Sequence, residues 1–184
     1  MMELGHMLRS KTLMGALVAA SVVFCAPSHA KQDKVTFGYL ETVYLGDLAL
    51  EMSAKLDSGA DFSSVYAREI DLYRDDDDDE WVRFKLVGDD GRTIRFNKKV
   101  IRTALIKTKT GGTVDRPVIS LRVCINGLAA DTPVNLADRS EFDHPFLVGR
   151  EYLAPRILID SGQSYTAENE CDPVSSEDEE DGVS

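Results

Sequence analysis

The stretch Ala54-Lys55-Leu56-Asp57-Ser58-Gly59-Ala60-Asp61-Phe62-Ser63-Ser64-Val65 decides how the rest of the chain is read. An apolar strand runs into Asp57, and a small-residue turn follows at once. Ser58 offers a hydroxyl, Gly59 allows close backbone approach, and Ala60 leaves room for a second copy of the loop. Two carboxylates held in this way and facing each other share one proton and activate a water between them. On its own, Asp-Ser-Gly reads equally well as an ordinary turn, and it recurs at Asp160-Ser161-Gly162.

A second stretch lifts the first above a turn. Phe146-Leu147-Val148-Gly149-Arg150-Glu151-Tyr152-Leu153 is an apolar strand that enters a Gly-Arg corner and continues into a short helix, which Pro155 ends. In this order and at about this separation, the pair resembles the retropepsin-like aspartic peptidases. Glu80-Trp81-Val82-Arg83-Phe84, Arg116-Pro117-Val118-Ile119 and Asp138-Arg139-Ser140 narrow the resemblance to a bacterial retropepsin-like family labelled ATP-dependent zinc proteases, over about residues 37 to 166. The chain departs from that family at Tyr66, where a histidine is expected, and in the length of the run Asp75 to Asp79.

The resemblance implies an all-β fold, a retropepsin-like (acid protease) closed barrel with one short C-terminal helix. It implies that Asp57 is catalytic, with Ser58, Gly59, Ala60, Asp61, Gly149 and Arg150 supporting its loop. Asp61 and Arg150 are expected to pair beneath that loop, with Asp138 and Arg139 on the approach to the same corner. Gly111 and Gly112 fall where retropepsins keep the flap that closes over substrate, and a glycine tip suits such a hinge. One catalytic aspartate per chain implies a homodimer in which Asp57 meets its symmetry mate. The expected reaction is hydrolysis of a peptide or protein substrate. Two other readings stand beside it: a non-catalytic periplasmic binding or regulatory module on the same fold, and a monomeric pairing of Asp57 with Asp160.

Residues 1–30 read as a signal peptide. Arg9 and Lys11 precede an apolar run from Leu13 to Phe24, too short for a lasting membrane anchor, and Ser28-His29-Ala30 offers small cleavage-site residues. Export to the periplasm or medium follows, with a peptidase domain over 31–167 and a disordered acidic tail over 168–184. The whole chain carries a formal charge of −11. Six acids from Asp75 to Glu80 and eight from Glu168 to Asp181 account for that excess and leave a body near neutrality. Such a charge argues against nucleic acid as a partner. Between Arg92 and Lys109 lie seven bases and no acid, so a basic flank to the flap would favour acidic peptides.

Short alternating segments with turn signals support the all-β reading. Val35 to Leu45, Leu48 to Leu56, Trp81 to Val87, Arg92 to Phe96, Ile101 to Thr108, Arg116 to Ile125 and Ala130 to Ala137 read as strands, while Val65 to Ile70 is ambiguous. Metal and nucleotide chemistry find no support. The expected mature chain has one histidine, His144, no His-Glu-x-x-His and no Gly-Lys-Ser/Thr loop, so no metal, zinc, ATP or other cofactor is expected. The acidic run Asp75 to Asp79 lacks the spaced ligands and glycine of a calcium loop. Cys124 and Cys171 form a disulfide pinning the tail to the body, or are two unrelated thiols; the residues alone leave both open.

Overall fold

The computed structural model describes residues 33–107, 111–168 and 171–174, so the expected signal peptide lies outside the described residues. Ten strands and one short helix follow in order: β1 (Val35–Leu45), β2 (Leu50–Leu56), β3 (Ser63–Tyr66), β4 (Arg68–Arg74), β5 (Glu80–Val87), β6 (Thr93–Lys107), β7 (Thr113–Ile125), β8 (Leu128–Ala137), β9 (Phe146–Val148), α1 (Arg150–Leu153) and β10 (Ile157–Ser164). Neighbouring strands run β10-β1-β2-β9-β3-β8-β7-β6-β5-β4, and a further pairing of β1 with β7 closes β1, β2, β9, β3, β8 and β7 into a ring. The fold is the all-β retropepsin-like one.

Alternation places the core inside this ring. Along β2, Leu50, Met52, Ala54 and Leu56 are buried while the residues between them are not. The same period in β7 and β8 brings Ile119, Leu121, Val123, Val134 and Leu136 against them, and Phe146, Val148 and Tyr152 complete the centre. Each such side chain contributes about 1.5–3 kcal/mol of burial free energy. Ring closure is local: Tyr44 faces Cys124 and Leu45 faces Val123.

Two strands differ from expectation. Arg92 to Phe96 and Ile101 to Thr108 are not separate segments but one strand, β6. Its first half pairs with β5 and its second with β7, and an irregularity between Val100 and Arg102 lets it change partners without a turn. Val65 to Ile70 resolves into the end of β3 and the start of β4, which forms the outer edge of a ribbon with β5 and β6. The acidic run builds the β4–β5 turn. Asp75 accepts from the amides of Asp77 and Asp79 through Oδ1 and from the Trp81 indole through Oδ2.

The C-terminal strand β10 runs parallel to β1, from Val35 opposite Ile157 to Gly38 opposite Asp160. Beyond it the chain is tied down repeatedly. Glu41, fully buried, accepts from the Gly38 amide, from the amide and hydroxyl of Thr166, and from the Ala167 amide. Glu168 donates to Asn126, Val174 donates to Asp47, and Cys124 is bonded to Cys171 with Cα atoms 6.1 Å apart. The disulfide thus joins the first part of the acidic segment to β7.

Candidate active site

Asp57 stands where β2 ends. Parallel pairing of β2 with β9 sets Ala54 opposite Phe146, Lys55 opposite Leu147 and Leu56 opposite Val148. The next residue of each strand therefore leaves the sheet at the same end: Asp57 from one, Gly149 from the other. The Asp57 amide donates to the Val148 carbonyl at 2.9 Å, so the loop starts pinned to the corner.

The loop and corner then stay in register. Arg150 N–H donates to Ala60 O at 2.8 Å, Glu151 N–H to Asp61 O at 3.1 Å, and Gly149 N–H to Ser63 Oγ at 3.1 Å. Gly149 is required for space. A Cβ there would lie 2.4 Å from the Phe62 carbonyl carbon, inside any van der Waals contact. Half-buried Asp57 accepts from the Gly59 amide through Oδ1 at 2.8 Å, and its Oδ2 takes no hydrogen bond from the described residues. The loop's own backbone thus orients one carboxylate oxygen.

Arg150 clamps the loop, as the two motifs imply. It forms an ion pair with Asp61 and donates from Nη1 to the Ser58 carbonyl at 2.9 Å. The pair is largely exposed rather than buried: the Asp61 side chain is 66% exposed and that of Arg150 47%. Asp138 stays out of this network; its carboxylate accepts from the Ser140 amide, and that bond holds it below the usual range. Gly111 sits at the tip of the β6–β7 hairpin with a φ of +89° and open space around it, next to Gly112. Asp160, on β10, repeats the local bond of Asp57 by accepting from the Gly162 amide.

Arg139 forms no ion pair with Asp61 among the described residues. It is buried, stacks over Phe142 at 4.4 Å, and among the described residues donates twice to the His144 carbonyl at 3.4 Å. Burial pushes its guanidinium below the ordinary arginine value, the charge of Arg116 adds to that, and the Asp57 carboxylate opposes both. Arg116 donates to the buried Asn135 at 3.4 Å, and Asn135 in turn bonds Ser63 and Ser64 beyond the Asp57 loop. No group of three or more metal-ligating side chains occurs among the described residues. An open cleft of about 420 Å³ lies on the β4–β6 ribbon, around Arg83, Phe84 and Phe96, and does not include Asp57.

With this geometry in place, the comparisons are specific. Residues 36–170 match the model of the RimB-like family, described as retropepsin-like aspartic endopeptidase RimB. The chain belongs to this family. A solved structure of a protein of unknown function from Legionella pneumophila has a TM-score of 0.62 and 27% identity, covering 73% of this chain and 98% of that one. A probable alpha-L-glutamate ligase of Desulfotalea psychrophila is 33% identical over 112 residues, 59% of this chain and 24% of the ligase. One from Shewanella pealeana is 29% identical over 117 residues, 62% of this chain and 25% of the ligase. The chain thus spans about a quarter of the length of these curated relatives.

Proposed function

We propose that the chain is an exported aspartic endopeptidase that hydrolyses peptide bonds with Asp57 paired across a homodimer. The observation that supports it best is the pinned, half-buried Asp57 carboxylate at the shared end of β2 and β9. In this reading an ionised Asp57 takes a proton from water while the protonated Asp57 of the second copy donates to the carbonyl oxygen. The water oxygen bonds to the carbonyl carbon, giving a tetrahedral gem-diol. The carbon–nitrogen bond then breaks as the amine takes up a proton, and the shared proton is restored. Every step uses carboxylates and water alone.

Asp57→Asn keeps the side chain's shape but cannot act as the base. It is expected to abolish cleavage of a peptide library while leaving the melting temperature and sedimentation behaviour near those of the parent. Undiminished cleavage in that variant would remove the reading. A second reading, a non-catalytic module on the same fold, draws on relatives named as ligases in which a similar segment fills about a quarter of the chain. No cleavage by the unaltered protein, together with tight binding of an acidic peptide, would favour it.

A further inference from the structure

Asn135 is the polar residue in the buried run Val134-Asn135-Leu136-Ala137 of β8, with 4% of its surface exposed. An amide in such a place is costly unless its hydrogen bonds are met. Val134 and Leu136 point into the core, so Asn135 lies on the opposite face of the strand. It faces Val118 of β7 on one side and Ser64 of β3 on the other. Arg116 stands two residues from Val118, so Arg116, Val118, Asn135 and Ser64 share one face.

The Asn135 amide is fixed in orientation by what it meets. Its Oδ1 accepts from the Ser64 hydroxyl at 2.9 Å and from Arg116 Nη1 at 3.4 Å. Its Nδ2 donates to the Ser63 carbonyl at 2.7 Å. Exchanging the two ends would set an NH2 against a guanidinium and an oxygen against a carbonyl. An uncharged amide serves both sides at once. An aspartate would present an acceptor to an acceptor, and a leucine would strand the Ser63 carbonyl.

Ser63 is where the Asp57 loop rejoins the sheet. The upstream end of that loop is held by the Asp57 amide on the Val148 carbonyl. The downstream end is held at Ser63, whose Oγ accepts from the Gly149 amide at 3.1 Å. Ser63 is fully buried, which shields both of its contacts from solvent. Its side chain therefore grips β9 while its carbonyl is gripped from β8. Asn135 thus links Arg116, on the β6–β7 hairpin, to the anchor of the Asp57 loop.

Resting on the reading of Asp57 as the hydrolytic group, we propose that Asn135 is a positioning residue that locks the Asp57 loop to the root of the flap. It touches neither the substrate nor the reacting water and acts through Ser63 and Gly149. It holds the carboxylate where corner and hairpin meet, so hydrolysis depends on it more than binding does.

The test is amide hydrogen exchange on the full chain, read beside steady-state cleavage of a quenched fluorescent peptide. Asn135→Asp keeps the shape and the acceptor but loses the donor, and Asn135→Ser loses the reach. In both, the Gly149 and Arg150 amides should exchange at least ~10-fold faster than in the parent. Turnover, as kcat, should fall ~10–100-fold with KM changed by less than about 2-fold. Val123→Ala, a core truncation further along β7 opposite Ala130, is the control. It should lower the melting temperature and leave those amides and kcat near the parent values. Parental exchange at Gly149 and Arg150 in both Asn135 variants overturns the clamp. So does an equal fall of kcat in Val123→Ala, or a loss confined to KM. If neither Asn135 variant folds, Ser64→Ala decides, since it strips one bond from Asn135 Oδ1. Exchange at Gly149 faster by ~3-fold or more then supports the clamp, and parental exchange overturns it. The exchange arm also separates the two readings. Faster exchange without cleavage by the unaltered protein supports the clamp and refutes the peptidase. Parental exchange in the variants, with cleavage by the unaltered protein, refutes the clamp and leaves the peptidase standing.

Discussion

Replacing Gly149 by alanine tests the seam that positions Asp57. Its φ of −91° and ψ of 174° suit any residue, so the substitution adds no backbone strain and isolates the question of space. The added Cβ would lie 2.4 Å from Phe62 C, 2.6 Å from Phe62 O and 2.9 Å from Phe62 Cα, all backbone atoms that cannot rotate away. Restoring ordinary contact requires the corner and the loop to part by about 1 Å. Three hydrogen bonds cross that seam, from Gly149, Arg150 and Glu151, at 3.1, 2.8 and 3.1 Å. At about 1 kcal/mol each, their loss puts the cost near 2–4 kcal/mol, within the range of overpacked sites. Thermal unfolding should then fall by about 8–16 °C for a domain of this size. On the proposed peptidase reading, cleavage should drop ~100-fold, because Asp57 shifts with its loop. A variant melting within about 2 °C of the parent, with the Arg150 and Glu151 amides still protected from hydrogen exchange, would refute the close-approach argument.

Other perturbations follow from the same contacts. A double-mutant cycle on Asp61→Ala and Arg150→Ala should give a coupling below about 1 kcal/mol, because both side chains are largely exposed; a coupling above about 3 kcal/mol would mean the pair is desolvated in the working assembly. Cys171→Ser opens the loop between Cys124 and Cys171, a separation of 47 residues, and should lower unfolding free energy by about 2–4 kcal/mol in urea titrations; an unchanged midpoint would show that the tie does not constrain the chain. Burial pushes the Tyr152 phenol up to about 12, and its hydroxyl donates to the Leu128 carbonyl. Its raised value contributes stability in full below pH ~10 and loses it as pH climbs towards 12. Tyr152→Phe should therefore be less stable by about 1 kcal/mol at neutral pH and show a flatter alkaline limb; an identical limb would contradict the assignment.

Residue types at short range made the two halves of the site legible in the sequence itself. Asp57-Ser58-Gly59-Ala60 and Gly149-Arg150 are local patterns, each stating what its own backbone needs: a carboxylate on a tight loop, and a corner with no Cβ. Alternation likewise marked β1, β2, β5, β7 and β8, because a half-buried strand sorts its side chains with a period of two. The pairing of Asp61 with Arg150 came from the resemblance the two motifs carry, but their exposure was not legible there.

What only the tertiary structure decided is which distant groups meet. Asp57 and Gly149 come together because β2 and β9 pair in parallel, a contact between segments some ninety residues apart that no local preference encodes. The arginines show the point most sharply. Arg95, Lys99 and Arg102 look alike along the chain, yet Arg95 and Lys99 sit where β6 pairs with β5, while beyond the irregularity between Val100 and Arg102 the strand pairs with β7 and Arg102 lies over the Phe62 ring. A one-residue change in register reverses the face a side chain occupies, so charge counts predict how much basicity a segment holds and not where it points.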